Sequence, residues 1–208
     1  KNIKVAPDLA NFWIPTYKYT DKGNTIGISV SHQIIRQWNS SESYLDCIVN
    51  LIRHIEANTT CQIMLIPNEI PILNRYNDMH VAHDIVKKLS NSERIRVLDV
   101  SSITSTELKE NIARLDVMVA SRYHSCVAAL SSGVPVLVIG WHNKYEELLE
   151  LYGQERWIIS CENCTSKKLI QMFDSFWARK DNEREIIRKK YFDVRNFLLE
   201  ASKTLFVR

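Results

Sequence analysis

Apolar positions in this chain fall into two alternating patterns. Short continuous runs, such as Ile63 to Ile66, Val117 to Ala120 and Val134 to Ile139, have the length and β-branched content of strands buried on both faces. Between them lie stretches in which apolar residues recur at three- and four-residue spacing, as with Leu45, Ile48, Val49 and Ile52. The pattern predicts strands over Thr25 to Ser31, Gln62 to Pro67, Ile95 to Val100, Asp116 to Ala120, Val134 to Ile139 and, briefly, Trp157 to Ile159. It predicts helices over Tyr44 to Glu56, Asp78 to Leu89 and Lys144 to Leu151, and two closing helices, Ser166 to Ala178 and about Asn182 to Thr204. Thr104-Ser105-Thr106-Glu107 has the spacing of a capping box and opens a further helix that runs to Arg114. Strands that alternate with helices require a parallel sheet covered on both faces. The expected fold class is therefore α/β, a Rossmann-like doubly wound parallel sheet in three α/β/α layers.

Composition limits the classes of function. The 208 residues are 45% hydrophobic, enough for one full core, and no apolar run reaches the length that spans a bilayer. Without a basic-then-apolar leader the sequence reads as soluble and cytoplasmic. Five cysteines, with Cys47, Cys61 and Cys126 inside apolar segments, indicate reduced thiols. A net charge of +3 gives no electrostatic case for nucleic acid. The chain opens at Lys1, and residues 1–20 show no regular period, so they are expected to be an interdomain lead-in to a domain over 21–208, with an N-terminal domain absent from this chain.

Chemistry is expected where strands end in polar clusters. In the common doubly wound order the first and fourth strands are neighbours, and a crevice opens at their carboxyl ends. The first strand ends in Ser31-His32, the fourth in Ser121-Arg122-Tyr123-His124, and the fifth in Gly140-Trp141-His142-Asn143-Lys144. A small-residue helix follows Arg122 at once, so its N-terminal N–H groups, a guanidinium and an imidazole share one place, an arrangement suited to an anion. A strand-end arginine can instead simply pair with a carboxylate, and Lys144 can be an ordinary first-turn cation. Other motifs point elsewhere. Cys161-Glu162-Asn163-Cys164 has no second pair to complete a zinc site, and His80 and His83, beside Asp78 and Asp84, read as a solvated face. No Gly-x-Gly-x-x-Gly loop, Gly-x-Ser-x-Gly elbow or matched carboxylate pair is present.

Arg122-Tyr123-His124, the small-residue helix, Gly133-Val134-Pro135 and Trp141-His142-Asn143-Lys144 resemble the C-terminal half of the polysaccharide pyruvyl transferases. That family has Arg-Leu-His or Arg-Met-His, then Gly-Val-Pro and Tyr-x-x-Lys, in this order. Val5 to Ala10, and Leu65-Ile66-Pro67 followed by Asn77-Asp78, are similar as well. The resemblance implies the C-terminal domain of a glycosyltransferase-B arrangement. It further implies transfer of the carboxyvinyl group of phosphoenolpyruvate to two sugar hydroxyls, giving a pyruvate ketal in cell-surface polysaccharide and free phosphate. Arg122 would then anchor phosphate or carboxylate, His124 would move a proton, and Lys144 would neutralise the departing phosphate. Ser121, Ser125 and His32 would complete the binding site, with no cofactor and no metal, since no carboxylate cluster is evident to hold one. The partners implied are a sugar or lipid-linked saccharide, with peripheral membrane contact through that acceptor, and the missing N-terminal domain.

The chain departs from the family pattern at Tyr123, at Trp141, where the family has tyrosine, and at Ser31-His32, where many members have an arginine. Two alternatives remain open. One is a glycosyltransferase or sugar-nucleotide enzyme of the same architecture, for which Glu146 is the candidate ribose-binding carboxylate. The other is a non-catalytic anion-binding module. In the closing helix, Ile187, Tyr191, Val194 and Leu198 form an apolar stripe, with Arg184, Arg188, Lys189, Lys190 and Arg195 around it. That stripe is expected to dock on the absent domain and to be exposed in this chain.

Overall fold

The computed structural model of the chain describes residues 9–12, 24–69, 76–89 and 92–206, with side chains described at 10, 11, 24–69, 76–89 and 92–201. Six strands form one parallel sheet: β1 (Thr25–Ser29), β2 (Gln62–Leu65), β3 (Ile95–Val97), β4 (Val117–Ala120), β5 (Val136–Gly140) and β6 (Ile158–Ser160). Their order is β3-β2-β1-β4-β5-β6, so the chain reverses direction across the sheet between β1 and β4. Among the described residues seven α-helices connect and cover it: α1 (His32–Gln37), α2 (Tyr44–Asn58), α3 (Asp78–Lys88), α4 (Ser105–Ala113), α5 (Tyr123–Ser131), α6 (Lys144–Leu151) and α7 (Ser166–Phe206). The doubly wound expectation holds in its order as well as its class.

The strand period of two divides the core. Ile26, Ile28, Val117, Val119, Leu137 and Ile139 face one side, with Ile48, Ile52 and Ile55 of α2 and Val81 and Ile85 of α3. Met118, Ala120, Val136 and Val138 face the other, with Ile112 of α4, most of α5, and Leu148 and Leu149 of α6. The predicted capping box is present at α4: Glu107 N–H donates to Thr104 Oγ1 at 3.2 Å, and Thr104 N–H donates to Glu107 Oε2 at 2.7 Å. At the far end of α5, Gly133 N–H donates to the Leu130 carbonyl and Val134 N–H to that of Ala129, with Gly133 at φ +71°. This is a Schellman stop, and a Cβ there strains the left-handed backbone. Gly133→Ala is expected to cost about 1–2 kcal/mol in urea denaturation; an unchanged midpoint would show that the turn relaxes freely.

Several boundaries differ from the sequence reading. β1 stops at Ser29, because Ser31 takes the N-cap of α1, a short helix not foreseen, and its side chain accepts from Gln33 N–H. The first residues expected in β5 lie outside it, and Pro135 has no N–H to give the ladder. The two closing helices are one, of 41 residues. No Gly or Pro lies between Ser166 and Phe206, and Arg179-Lys180-Asp181-Asn182-Glu183 holds no residue that breaks a helix outright. Midway along α7 the buried Glu183 accepts from Arg179 Nε and from Gln154 Nε2, both at 3.1 Å.

The length of α7 lets it cover both faces. Leu169, Phe173 and Phe176 enter the first core side, and Ile187, Val194 and Leu198 the second, with Tyr191 packed at its margin. The predicted stripe is therefore packed within this chain, which corrects the expectation that it is exposed for another domain. Arg184, expected in the solvated surround, is buried and donates from Nη2 to the Asp116 carbonyl at 2.6 Å. The large apolar residues that α7 does expose are Phe192, Phe197 and Leu199. The turn Leu9–Phe12 packs on α5 and α7, and Asn11 Oδ1 accepts from Tyr152 Oη at 2.7 Å. All five cysteines are buried and free. Among the described residues no helix is long and apolar enough to cross a membrane.

Candidate functional site

At the carboxyl edge, where β1 and β4 part, Arg122 occupies the N-cap of α5 and makes no side-chain cap bond. Its guanidinium turns instead to the first turn of α3. Nε donates to Asp78 Oδ2 at 2.8 Å, and Nη2 donates to Asp78 Oδ1 at 2.6 Å and to Glu69 Oε2 at 2.7 Å. Asp78 is wholly buried, and its carboxylate also accepts His32 N–H at 2.8 Å and Asn68 N–H at 3.2 Å. One carboxylate thus ties the ends of β1, β2 and β4 together. Burial alone would weaken the Arg122 charge. The bonds that Arg122 donates to Asp78 and Glu69, with the charge of both carboxylates, outweigh it and raise the guanidinium above its ordinary range.

His32 joins this cluster through Nδ1, 3.1 Å from both Asp78 Oδ1 and Glu69 Oε2. His32, Glu69 and Asp78 converge closely enough to hold a metal ion. The cation among them is Arg122: Nη2 lies 3.2 Å from His32 Nδ1 and bonds the same two carboxylate oxygens. The premise that the chain has no carboxylate cluster is therefore corrected, and so is the reading of Asp78 as solvated. A metal could enter only by displacing the guanidinium.

A cavity of about 380 Å³ opens over the cluster, with Arg122, His124 and Lys144 all on its wall beside Glu69, Asn68 and Gln33. Tyr123, Trp141 and Tyr145 complete the wall and surround Lys144, whose Nζ is 4.9, 5.4 and 5.7 Å from the respective ring centroids. The π faces stabilise the ammonium without neutralising it, by about 0.5–2 kcal/mol for such contacts. Among the described residues no carboxylate pairs with Lys144. Tyr123 and Trp141, two of the three departures from the family pattern, both belong to this cage. His124 is exposed on the first turn of α5, its ring 5.7 Å from that of Tyr123.

Ser121 and Ser125, expected to touch ligand, lie beneath the cavity. Ser121 Oγ is 3.0 Å from Tyr44 Oη, and its carbonyl accepts from Tyr145 Oη at 3.1 Å. Burial pushes the Tyr44 hydroxyl well above its ordinary range, so it remains a neutral hydrogen-bonding group. Ser125 Oγ accepts from Ser29 Oγ at 2.8 Å and from Asn68 Nδ2 at 3.0 Å. Both serines position the strand ends. His32 likewise sits in the Arg122 clamp, while its neighbour Gln33 reaches the cavity wall. Glu69 and Asp78 were missed because nothing in their local sequence marks them; only the Asn77 cap, which sets the first turn of α3, could have suggested that Asp78 faces inward. A second cavity of about 370 Å³ adjoins across Trp141, lined by Glu146, Glu162, His142 and Gln37 among others, without Lys or Arg.

The chain superposes on a candidate UDP-N-acetylglucosamine 2-epimerase from Listeria monocytogenes with a TM-score of 0.60 at 16% identity, over 99% of this chain and 49% of that one. It is also similar to the glycosyltransferase SnogD from Streptomyces nogalater, with a TM-score of 0.41 at 13% identity, over 97% of this chain and 47% of that one. The chain thus spans about half the length of these structures. No protein with a curated description matches it in sequence. The family model for polysaccharide pyruvyl transferase matches residues 1–143, which include Asp78, Arg122 and His124. With more than half its length so matched, the chain belongs to the polysaccharide pyruvyl transferase family.

Proposed function

We propose that the cavity over Arg122 and Lys144 binds phosphoenolpyruvate, and that the complete enzyme transfers the carboxyvinyl group to two hydroxyls of a saccharide acceptor. One observation carries this reading: the Lys144 ammonium, with no carboxylate partner among the described residues, shares a wall with a guanidinium fixed in place by a buried carboxylate. A ligand with two anionic groups suits such a pair better than one with a single charge. In the reaction a proton adds to the methylene carbon of the enol, one acceptor hydroxyl oxygen bonds to the central carbon, and a second replaces phosphate. The C–O bond to phosphate breaks, and phosphate leaves with its electron pair. The two hydroxyls release two protons, so one replaces the proton taken up by carbon and the other is left for phosphate or solvent. His124, exposed at the cavity rim, is the group placed to move a proton, and Lys144 stabilises the charge that develops on departing phosphate.

In this reading the reaction takes place in the cytoplasm, needs no cofactor, and meets a sugar or lipid-linked saccharide through a domain outside this chain. The competing sugar-nucleotide reading draws on Glu146, which lies in the adjoining cavity beside Trp141. The full-length enzyme given phosphoenolpyruvate and a saccharide acceptor is expected to release one phosphate per ketal formed. Phosphate release without a ketal, or turnover only with a nucleotide sugar, would remove the pyruvyl transfer reading.

A further inference from the structure

The guanidinium of Arg122 has two edges, and the structure uses them differently. The Nε–Nη2 edge belongs to Asp78 in a fork of 2.8 and 2.6 Å, and that carboxylate is wholly buried and anchored by two backbone N–H groups. On the other edge, Nη1 has no bonded partner among the described residues, and the second N–H of Nη2 goes to Glu69 at 2.7 Å. Glu69 differs from Asp78 in standing: its side chain is 41% exposed, against 0%. It follows β2 and lies on the wall of the cavity. An oxyanion that binds Arg122 bidentately must use the Nη1–Nη2 edge, because the other is taken, and so meets Glu69 at the Nη2 corner.

We propose that Glu69 is a specificity-determining residue of the anion site, its carboxylate holding the place of one anionic oxygen of the ligand and leaving when that ligand binds. The inference rests on the anion-binding reading of the cavity. With Glu69 in place, both carboxylates bear on Arg122, and Lys144, which has no carboxylate of its own among the described residues, attracts an incoming anion against the opposing charge of Glu69 on the same wall. Once Glu69 turns to solvent, one positive charge is uncovered together with a complete N–H fork. A weakly accepting monocarboxylate gains little by this exchange, since it replaces one carboxylate with another. A phosphate group, with more charge and more acceptor oxygens, gains from it. The site thereby prefers phosphate at Arg122.

The test is calorimetric titration of inorganic phosphate, phosphoenolpyruvate and acetate into the wild-type chain and into Glu69→Gln and Glu69→Ala, with folding checked by circular dichroism. Removing the charge of Glu69 is expected to tighten phosphate and phosphoenolpyruvate about 3- to 30-fold and to narrow the preference for phosphate over acetate, because acetate no longer competes with a resident carboxylate. Binding that is unchanged or weaker in both variants, with wild-type binding intact, would overturn the role of Glu69 and leave the anion site standing. Absence of phosphate binding in wild type and both variants would overturn the anion site and this role together. Micromolar Mn²⁺ binding by wild type, lost in Glu69→Gln, would also overturn it, since Glu69 would then be a metal ligand.

Discussion

Arg122→Ala is expected to unfold the chain before it reports on binding. The guanidinium is the counter-ion of Asp78, which is fully buried and has no other cationic partner among the described residues save a protonated His32. Removing it leaves a buried carboxylate whose remaining donors are two backbone N–H groups and His32. Loss of one partner from a buried pair costs about 3–5 kcal/mol, a large share of the stability of an ordinary domain. Chemical denaturation should show a midpoint lowered to match; a variant as stable as wild type would mean that the Arg122–Asp78 pair contributes nothing to stability. Arg122→Lys separates the two effects. It keeps a charge near Asp78 but cannot make the Nε–Nη2 fork and present a second edge at once. It should fold and still lose about 1.5–3 kcal/mol of phosphoenolpyruvate affinity.

His124→Ala in the complete enzyme should act in the opposite way, leaving stability nearly unchanged and lowering kcat by about 10²- to 10⁴-fold. The residue is exposed and outside the Asp78 cluster, so its loss opens no core cavity. Phosphoenolpyruvate affinity should change far less than turnover, because charge recognition stays with Arg122 and Lys144. A variant that keeps most of its kcat would remove His124 from the mechanism.

What the sequence reveals about this molecule follows from the range of the forces involved. The sheet was legible because its central strands are continuous apolar runs and its helices carry local signals, such as the Thr104 capping box and the Gly133 stop. The strand-end cluster was legible too, since Arg122 and His124 are two apart across one strand-to-helix turn. Hidden from sequence were the contacts between distant residues. Asp78 and Glu69 lie 44 and 53 residues from Arg122, and no local pattern shows that the loop after β2 and the start of α3 converge on it. The cage about Lys144 was hidden for a similar reason: Tyr123 approaches from α5, whereas Trp141 and Tyr145 lie at the end of β5 and the start of α6. The closing helix shows a different limit. Its apolar stripe was read correctly as a stripe, but an amphipathic pattern does not name the surface it covers, and here that surface is this chain's own second core.

The central claim, that the cavity over Arg122 and Lys144 is a phosphoenolpyruvate site, is tested most directly by calorimetric titration of phosphoenolpyruvate into this chain, with uridine diphosphate and Lys144→Met as comparisons. Lys144 lacks an ion-pair partner among the described residues, so its removal should spare the fold while taking one cation from the ligand. Saturable binding of one phosphoenolpyruvate, weakened about tenfold or more in Lys144→Met and not reproduced by uridine diphosphate, is the predicted result. Binding of uridine diphosphate in preference to phosphoenolpyruvate, or phosphoenolpyruvate binding indifferent to Lys144, would contradict it.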